Sequence, residues 1–180
     1  MPINLSTPFL VILLVLAAVT CFLPAASLAR IGARPPSFTL NTVVGGPTRG
    51  RFRIDDHLGH DPIVILFWAT WCVPCRGEMS VYVPLFERYQ AQGLQMVAIS
   101  VDDTSTIMQA GPAARRLGVR FPVLADLDTR VTSQINPRRS CPFSVWVNRR
   151  GLVVREQEGF SLGERGAIEH GIADLVAGRQ

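Results

Sequence analysis

The chain has 180 residues, of which 18 are basic and 14 acidic, giving a formal net charge of +4, and 48% are hydrophobic. That length suits one domain of ordinary size with a complete core, plus a terminal appendage. Every basic residue is arginine and none falls in a run of five or more, so the charge reads as a mildly basic surface, with no nucleic-acid partner.

The appendage comes first. Phe9 to Leu23 carries no charge and is dominated by Leu, Val, Ile and Ala, and Ser27-Leu28-Ala29 resembles an export cleavage site. Phe9 to Ala29 is also long enough, at about 21 residues, to span a bilayer. Residues 1–30 are therefore expected to be a signal peptide or a membrane anchor, and residues 31–180 an exported domain, periplasmic or otherwise extracytoplasmic. In the uncleaved case residues 9–29 tether it to the inner membrane. Cys21 follows Thr20, which makes a poor lipoprotein signal, so this cysteine is assigned to the leader and an odd third thiol remains beyond it.

Ser37 to Val44 is predicted to be a short strand, Gly45-Gly46-Pro47 a turn, and Phe52-Arg53-Ile54 a second short strand. His57 and His60 follow at H-x-x-H spacing in a loop. A solvated turn is the expected reading there, with a metal site as its competitor. Ile63 to Trp68 is uninterrupted apolar sequence, as expected of a central strand covered on both faces.

Phe67-Trp68-Ala69-Thr70-Trp71-Cys72-Val73-Pro74-Cys75-Arg76 joins that strand to a helical pattern starting near Pro74. Two cysteines three positions apart lie on adjacent faces of a first helical turn, close enough for a strained, reducible disulfide. Cys72 would sit against the unpaired first-turn N–H groups, which stabilise a thiolate and make it the attacking sulfur. Cys75 falls inside the helix, where burial disfavours its thiolate, so it acts second. Pro74 fits the first turn, where its missing N–H has no intrahelical partner. A zinc site uses the same C-x-x-C spacing but needs a second ligand pair, and the sequence holds none at motif spacing. Two core cysteines paired by chance are the remaining alternative.

The helix places Met79, Tyr82, Val83 and Phe86 at core spacing, with Glu87 and Arg88 outside, and ends before Gly93; Pro84 is expected to kink it. Gln95 to Val101 is the next buried strand. Asp102-Asp103-Thr104 is expected to cap a helix ending near Leu117-Gly118, broken in its middle by Gly111-Pro112. Phe121 to Asp126 reads as a short strand, with Asp126 and Asp128 placed to cap a helix. Val145 to Val147 and Leu152 to Glu156, split by Asn148 to Gly151, form a hairpin, and Glu164 to Val176 a closing amphipathic helix.

On the residues FWATWCVPCRGE the chain resembles the thioredoxin superfamily, and more closely its extracytoplasmic TlpA/ResA-like branch of thiol-disulfide oxidoreductases. "VAISVDD" and "LGVRFPVLAD" match the insertion that branch carries, which extends the resemblance over most of residues 35 to 176. The implied fold is α/β and thioredoxin-like: a central mixed sheet flanked by helices, with an N-terminal β-hairpin and the family-type insertion. Further implications concern single residues. Pro142 stands where the superfamily has a cis-proline facing the redox disulfide, and such a peptide leaves residue 141 free to pair with an extended substrate. Glu78 matches an acidic residue that faces the redox site in ResA-like proteins, and a carboxylate near the thiols can take or give the proton that Cys75 exchanges; the alternative is a first-turn glutamate stabilised by the helix dipole. Leu66 replaces the buried aspartate of cytoplasmic thioredoxins.

The expected site is thus Cys72, Cys75 and Glu78 for chemistry, with Trp71, Pro74, Cys141 and Pro142 contacting substrate. Trp71 supplies apolar contact surface, whereas Trp68 and Trp146 read as core. Cys141 replaces the apolar residue or threonine usual before the cis-proline. It should lie close to Cys72, where it either packs as a small apolar side chain or joins a three-thiol centre. The function expected is reduction of partner disulfides, with no cofactor and no metal. The resemblance implies substrates such as apocytochrome c or copper-site assembly proteins, and a membrane thiol-disulfide electron donor. A peroxidase, as in the related peroxiredoxins, is disfavoured because Ala69 stands where they carry threonine. The alternative from another class is a copper-binding chaperone using Cys72, Cys75 and Cys141, since soft thiolates select Cu(I).

Overall fold

The computed structural model describes residues 31–179; the apolar leader, with Cys21, lies outside the described residues. Among the described residues, no helix is long and apolar enough to cross a membrane. In chain order the elements are β1 (Thr39–Thr42), β2 (Arg51–Arg53), β3 (Ile63–Trp68), α1 (Val73–Tyr89), β4 (Gln95–Ser100), α2 (Ile107–Arg116), β5 (Val123–Ala125), α3 (Arg130–Ile135), β6 (Phe143–Val147), β7 (Val153–Glu158) and α4 (Arg165–Ala177). The strands form one sheet of seven in the order β2-β1-β5-β4-β3-β6-β7. β3, β4 and β5 run parallel, and the outer pairings are antiparallel. This is the mixed, thioredoxin-like sheet expected, with β1 and β2 as the N-terminal hairpin.

β3 lies near the middle of the sheet because its apolar run can be covered on both sides, and all six of its residues are buried. Val64, Leu66 and Trp68 face a core completed by Met79 and Tyr82 of α1, Ala110 and Ala114 of α2, and Ile168 and Ile172 of α4. Ile63, Ile65 and Phe67 face the other core, built with Phe38, Phe52, Ile54, Val131 and Ile135. Full burial of such a side chain contributes roughly 1.5–3 kcal/mol, so this strand anchors both layers.

Several elements differ from the sequence reading. The buried side of α1 includes Val81 and Leu85, whereas Val83 and Phe86 are only half-buried, and the helix runs on past the exposed Pro84. Glu87 and Arg88 are exposed, as expected. α2 begins at Ile107, later than expected, because Asp102 turns inward and only Asp103 makes the turn ahead of the helix, accepting from the N–H groups of Ser105 and Thr106. The helix is not broken at Gly111-Pro112. A Cβ on Gly111 would meet the Val44 carbonyl and the Gly45 backbone, so glycine is needed where the β1–β2 connection crosses α2. Asp126 and Asp128 do cap a helix: Asp126 accepts from the N–H groups of Val131 and Thr132, and Asp128 from that of Arg130.

Candidate functional site

Cys72 is the N-cap of α1, and its sulfur accepts a hydrogen bond of 3.2 Å from the Cys75 N–H. Cys72 and Cys75 are joined as a disulfide with Cα atoms 5.4 Å apart. Both are buried, Cys75 completely and Cys72 to 4% exposure. Pro74 occupies the first helical turn and is exposed, as is Trp71 at 60%. Trp68, two residues after Leu66 on the same face of β3, is buried beneath the motif.

The strand register brings the remote part of the site here. β6 runs antiparallel to β3 with Phe143 opposite Phe67, so the segment entering β6 arrives beside the segment leaving β3. The Cys141–Pro142 peptide is cis. Asn136 holds the approach: its amide donates to the Ser140 carbonyl at 2.7 Å and its oxygen accepts from the Ser140 N–H at 3.3 Å. The Pro142 carbonyl is taken by the Gly159 N–H at 2.8 Å, whereas the backbone of Cys141 forms no hydrogen bond among the described residues. The sulfurs of Cys72, Cys75 and Cys141 all lie within 4.8 Å of one another, so Cys141 does lie close to Cys72. Burial, with the Asp102 and Glu78 charges adding to it, raises the Cys141 thiol above its ordinary value.

Glu78 is not in the first turn of α1, and it is not at the surface. It is completely buried, and neither carboxyl oxygen has a hydrogen-bond partner among the described residues. Desolvation, reinforced by the Glu164 carboxylate, pushes its pKa up to about 8. The segment after β7 packs beside the neighbouring residue of α1, where a Cβ on Gly77 would come within 3.0 Å of the Phe160 ring, and Glu164 accepts from the Gln157 amide and the Ser161 N–H. Below Glu78, Tyr82 donates to Ser144 at 3.4 Å and accepts from the Trp146 indole at 3.1 Å. Burial first, then the Glu78 charge, drives the Tyr82 hydroxyl well above its ordinary range. Trp146 is thus structural, edge-on to Tyr82 and with the Arg155 guanidinium over its ring.

Sequence reasoning missed Asp102. Its carboxylate, 3% exposed, accepts from the Thr70 N–H at 3.0 Å, the Thr70 hydroxyl at 2.6 Å and the Ser100 hydroxyl at 2.8 Å. It thereby ties the end of β4 to the loop that presents Cys72. Arg76 closes the same loop by donating to the Thr70 carbonyl at 3.3 Å. The only sequence signal was a pair of aspartates after an apolar run, which reads equally well as a cap. Beside this loop, Trp71, Val101, Asp102, Leu127, Thr132 and Arg139 line an open cleft of about 450 Å³. The histidine pair is a local cluster about one carboxylate: Asp61 lies 2.9 Å from His57 Nδ1 and 3.4 Å from His60 Nδ1, with His57 stacked on Phe52. Among the described residues, the three cysteines form the one group placed to hold a metal ion.

A buried, disulfide-bonded cysteine pair at a helix N-terminus with a third thiol beside it is suited to thiol–disulfide exchange. Comparisons agree. The AhpC/TSA family matches residues 31–159. The thiol-disulfide oxidoreductase ResA of Geobacillus kaustophilus (strain HTA426) is 28% identical over 131 residues, covering 70% of this chain and 71% of that protein. ResA of Bacillus subtilis (strain 168) is 28% identical over 130 residues, covering 71% and 67%. A solved structure from Chlorobium tepidum, described as a thiol:disulfide interchange protein DsbE, aligns with a TM-score of 0.72 and 25% identity over 83% of this chain and 99% of its own.

Proposed function

The chain belongs to the AhpC/TSA family and is a thiol-disulfide oxidoreductase similar to ResA, and from that premise we propose that it reduces disulfides of partner proteins outside the cytoplasm. The observation that carries this reading is the buried Cys72–Cys75 pair at the head of α1 beside the Cys141–Pro142 peptide. In the reduced protein, the Cys72 thiolate attacks one sulfur of the partner's disulfide and the other leaves as a thiolate. Cys75 then attacks the Cys72 sulfur, releasing the partner's second thiol and leaving the disulfide seen here. Two electrons from a membrane dithiol donor restore the pair.

Glu78 is proposed to accept the proton that Cys75 loses, since a buried carboxyl with a pKa of about 8 exchanges protons near neutrality. The unpaired Cys141 backbone is proposed to align an extended substrate strand, with Trp71 and Pro74 as exposed contact surface. Residues 1–30 are proposed as the export signal or inner-membrane anchor of the domain formed by residues 31–180. The resemblance supports apocytochrome c or copper-site assembly proteins as substrates.

Trapping tests this. A Cys75→Ser variant expressed in the native host should hold its partner as a mixed disulfide through Cys72, released by reductant. A variant that accumulates no such adduct while wild-type protein turns over a model disulfide would remove the proposed mechanism.

A further inference from the structure

Three sulfurs converge where thiol–disulfide exchange needs only two. Cys72, Cys75 and Cys141 have their sulfurs mutually within 4.8 Å, and among the described residues no histidine or carboxylate ligand atom shares that group. Two of the three are buried and the third is half-buried, against a cluster that includes Trp68, Ala69, Met79 and Val101. From this geometry we propose that the reduced protein binds one Cu(I) ion through the thiolates of Cys72, Cys75 and Cys141, and that closing the Cys72–Cys75 disulfide abolishes the site.

The donor set selects the ion. Thiolates are soft ligands and favour Cu(I), whereas hard cations require oxygen donors. Structural zinc is almost always held by four ligands in a tetrahedron. Among the described residues no fourth ligand atom joins the three sulfurs, and the nearby Asp102 carboxylate is engaged by Thr70 and Ser100. The Asp102 carboxylate, whose charge acts on Cys141, favours a cation among the sulfurs. The apolar surroundings limit access of water and oxidants to it.

The disulfide opens by taking up two electrons and two protons, both from a dithiol that becomes a disulfide, or the electrons from a phosphine that becomes its oxide with water supplying the oxygen and the protons. The three thiols then release three protons on binding, and the copper stays in the +1 state throughout. Occupancy is therefore confined to the reduced half of the proposed cycle. The inference needs only that the disulfide opens, and does not depend on the direction of electron flow or on the partner.

The test uses the full chain in detergent with Cys21→Ser, so that the three thiols of the site are the only ones. Protein is reduced with a phosphine, freed of it anaerobically, and titrated with Cu(I) against a colorimetric Cu(I) chelator. One ion per chain is expected, and X-ray absorption should find three sulfurs at about 2.3 Å, the usual metal–thiolate length. The disulfide form should bind none. Cys141→Ser and Cys141→Ala should weaken binding by more than about 100-fold, beyond the loss typical of an outer-shell partner. Two-sulfur coordination in the wild-type chain, unchanged affinity in both Cys141 variants, or preferential retention of Zn(II) would each overturn the proposal. The wild-type coordination number decides the matter even if a variant misfolds. Failure here leaves mixed-disulfide trapping by Cys75→Ser untouched, so the two readings fail separately.

Discussion

Thr70 and Asp102 are joined by two hydrogen bonds, from the Thr70 N–H at 3.0 Å and from its hydroxyl at 2.6 Å, across 32 positions of sequence. Through them the end of β4 fixes the turn that carries Trp71 and Cys72. Asp102→Ala leaves the Thr70 donors and the Ser100 hydroxyl without this acceptor, and is expected to destabilise the fold by about 1–3 kcal/mol. Asp102→Asn keeps an acceptor but removes the charge, so it should also make the Cys141 thiol more acidic. Chemical denaturation reads the first effect, and the pH dependence of Cys141 alkylation the second. An unchanged alkylation profile in Asp102→Asn would count against the electrostatic link.

Cys72→Ala should abolish turnover of a model disulfide, because no other sulfur stands at the N-cap of α1. Cys141→Ala should retain most turnover, since it preserves the peptide backbone proposed to align substrate and removes a sulfur that the proposed two-thiol cycle does not use. Parallel assays of both variants check this. Loss of turnover in folded Cys141→Ala would make the third thiol part of the exchange chemistry.

Glu78 sets a pH dependence whose sign is determined. Its pKa is about 8 in the folded protein against an ordinary 4.5, so the folded state holds the proton more tightly. Well below pH 4.5 the group is protonated in both states and adds no pH dependence. Stability then falls as pH rises toward 8, by an amount on the order of 5 kcal/mol as an upper limit. Glu78→Gln should flatten this fall, so that the variant is the more stable protein at pH 9 in denaturant titrations. The same change should alter the pH dependence of Cys75 alkylation more than partner binding; an unchanged thiol titration would exclude the proton relay.

Gly111→Ala should cost about 1–3 kcal/mol, because the new Cβ overlaps the Val44 carbonyl and the β1–β2 connection must move. Thermal denaturation measures it. A neutral substitution would mean that this connection yields freely.

A reporter fused after Gln180 is expected to be active only in forms that work outside the cytoplasm, given the apolar leader. Activity confined to a cytoplasmic reporter would contradict export.

Local chemistry was legible in the sequence. The uninterrupted run from Ile63 to Trp68 could be covered only in a central strand, and Cys72 had to fall at the head of the helix that Val73-Pro74 begins, because these outcomes depend on neighbours a few residues away. The hairpins and α4 followed from the same short-range patterns, to within a few residues at their ends. Tertiary contacts decided the rest. Spacing put Glu78 one turn beyond Cys75, but its complete burial, and the charge of Glu164 about 80 residues away that acts on it, are set by tertiary packing. The two aspartates after β4 looked alike, and the inward turn of Asp102 toward Thr70 separated a site residue from a turn residue. The third sulfur reached the other two because the β3–β6 register sets Phe143 opposite Phe67, and register is a property of paired strands that neither strand carries alone.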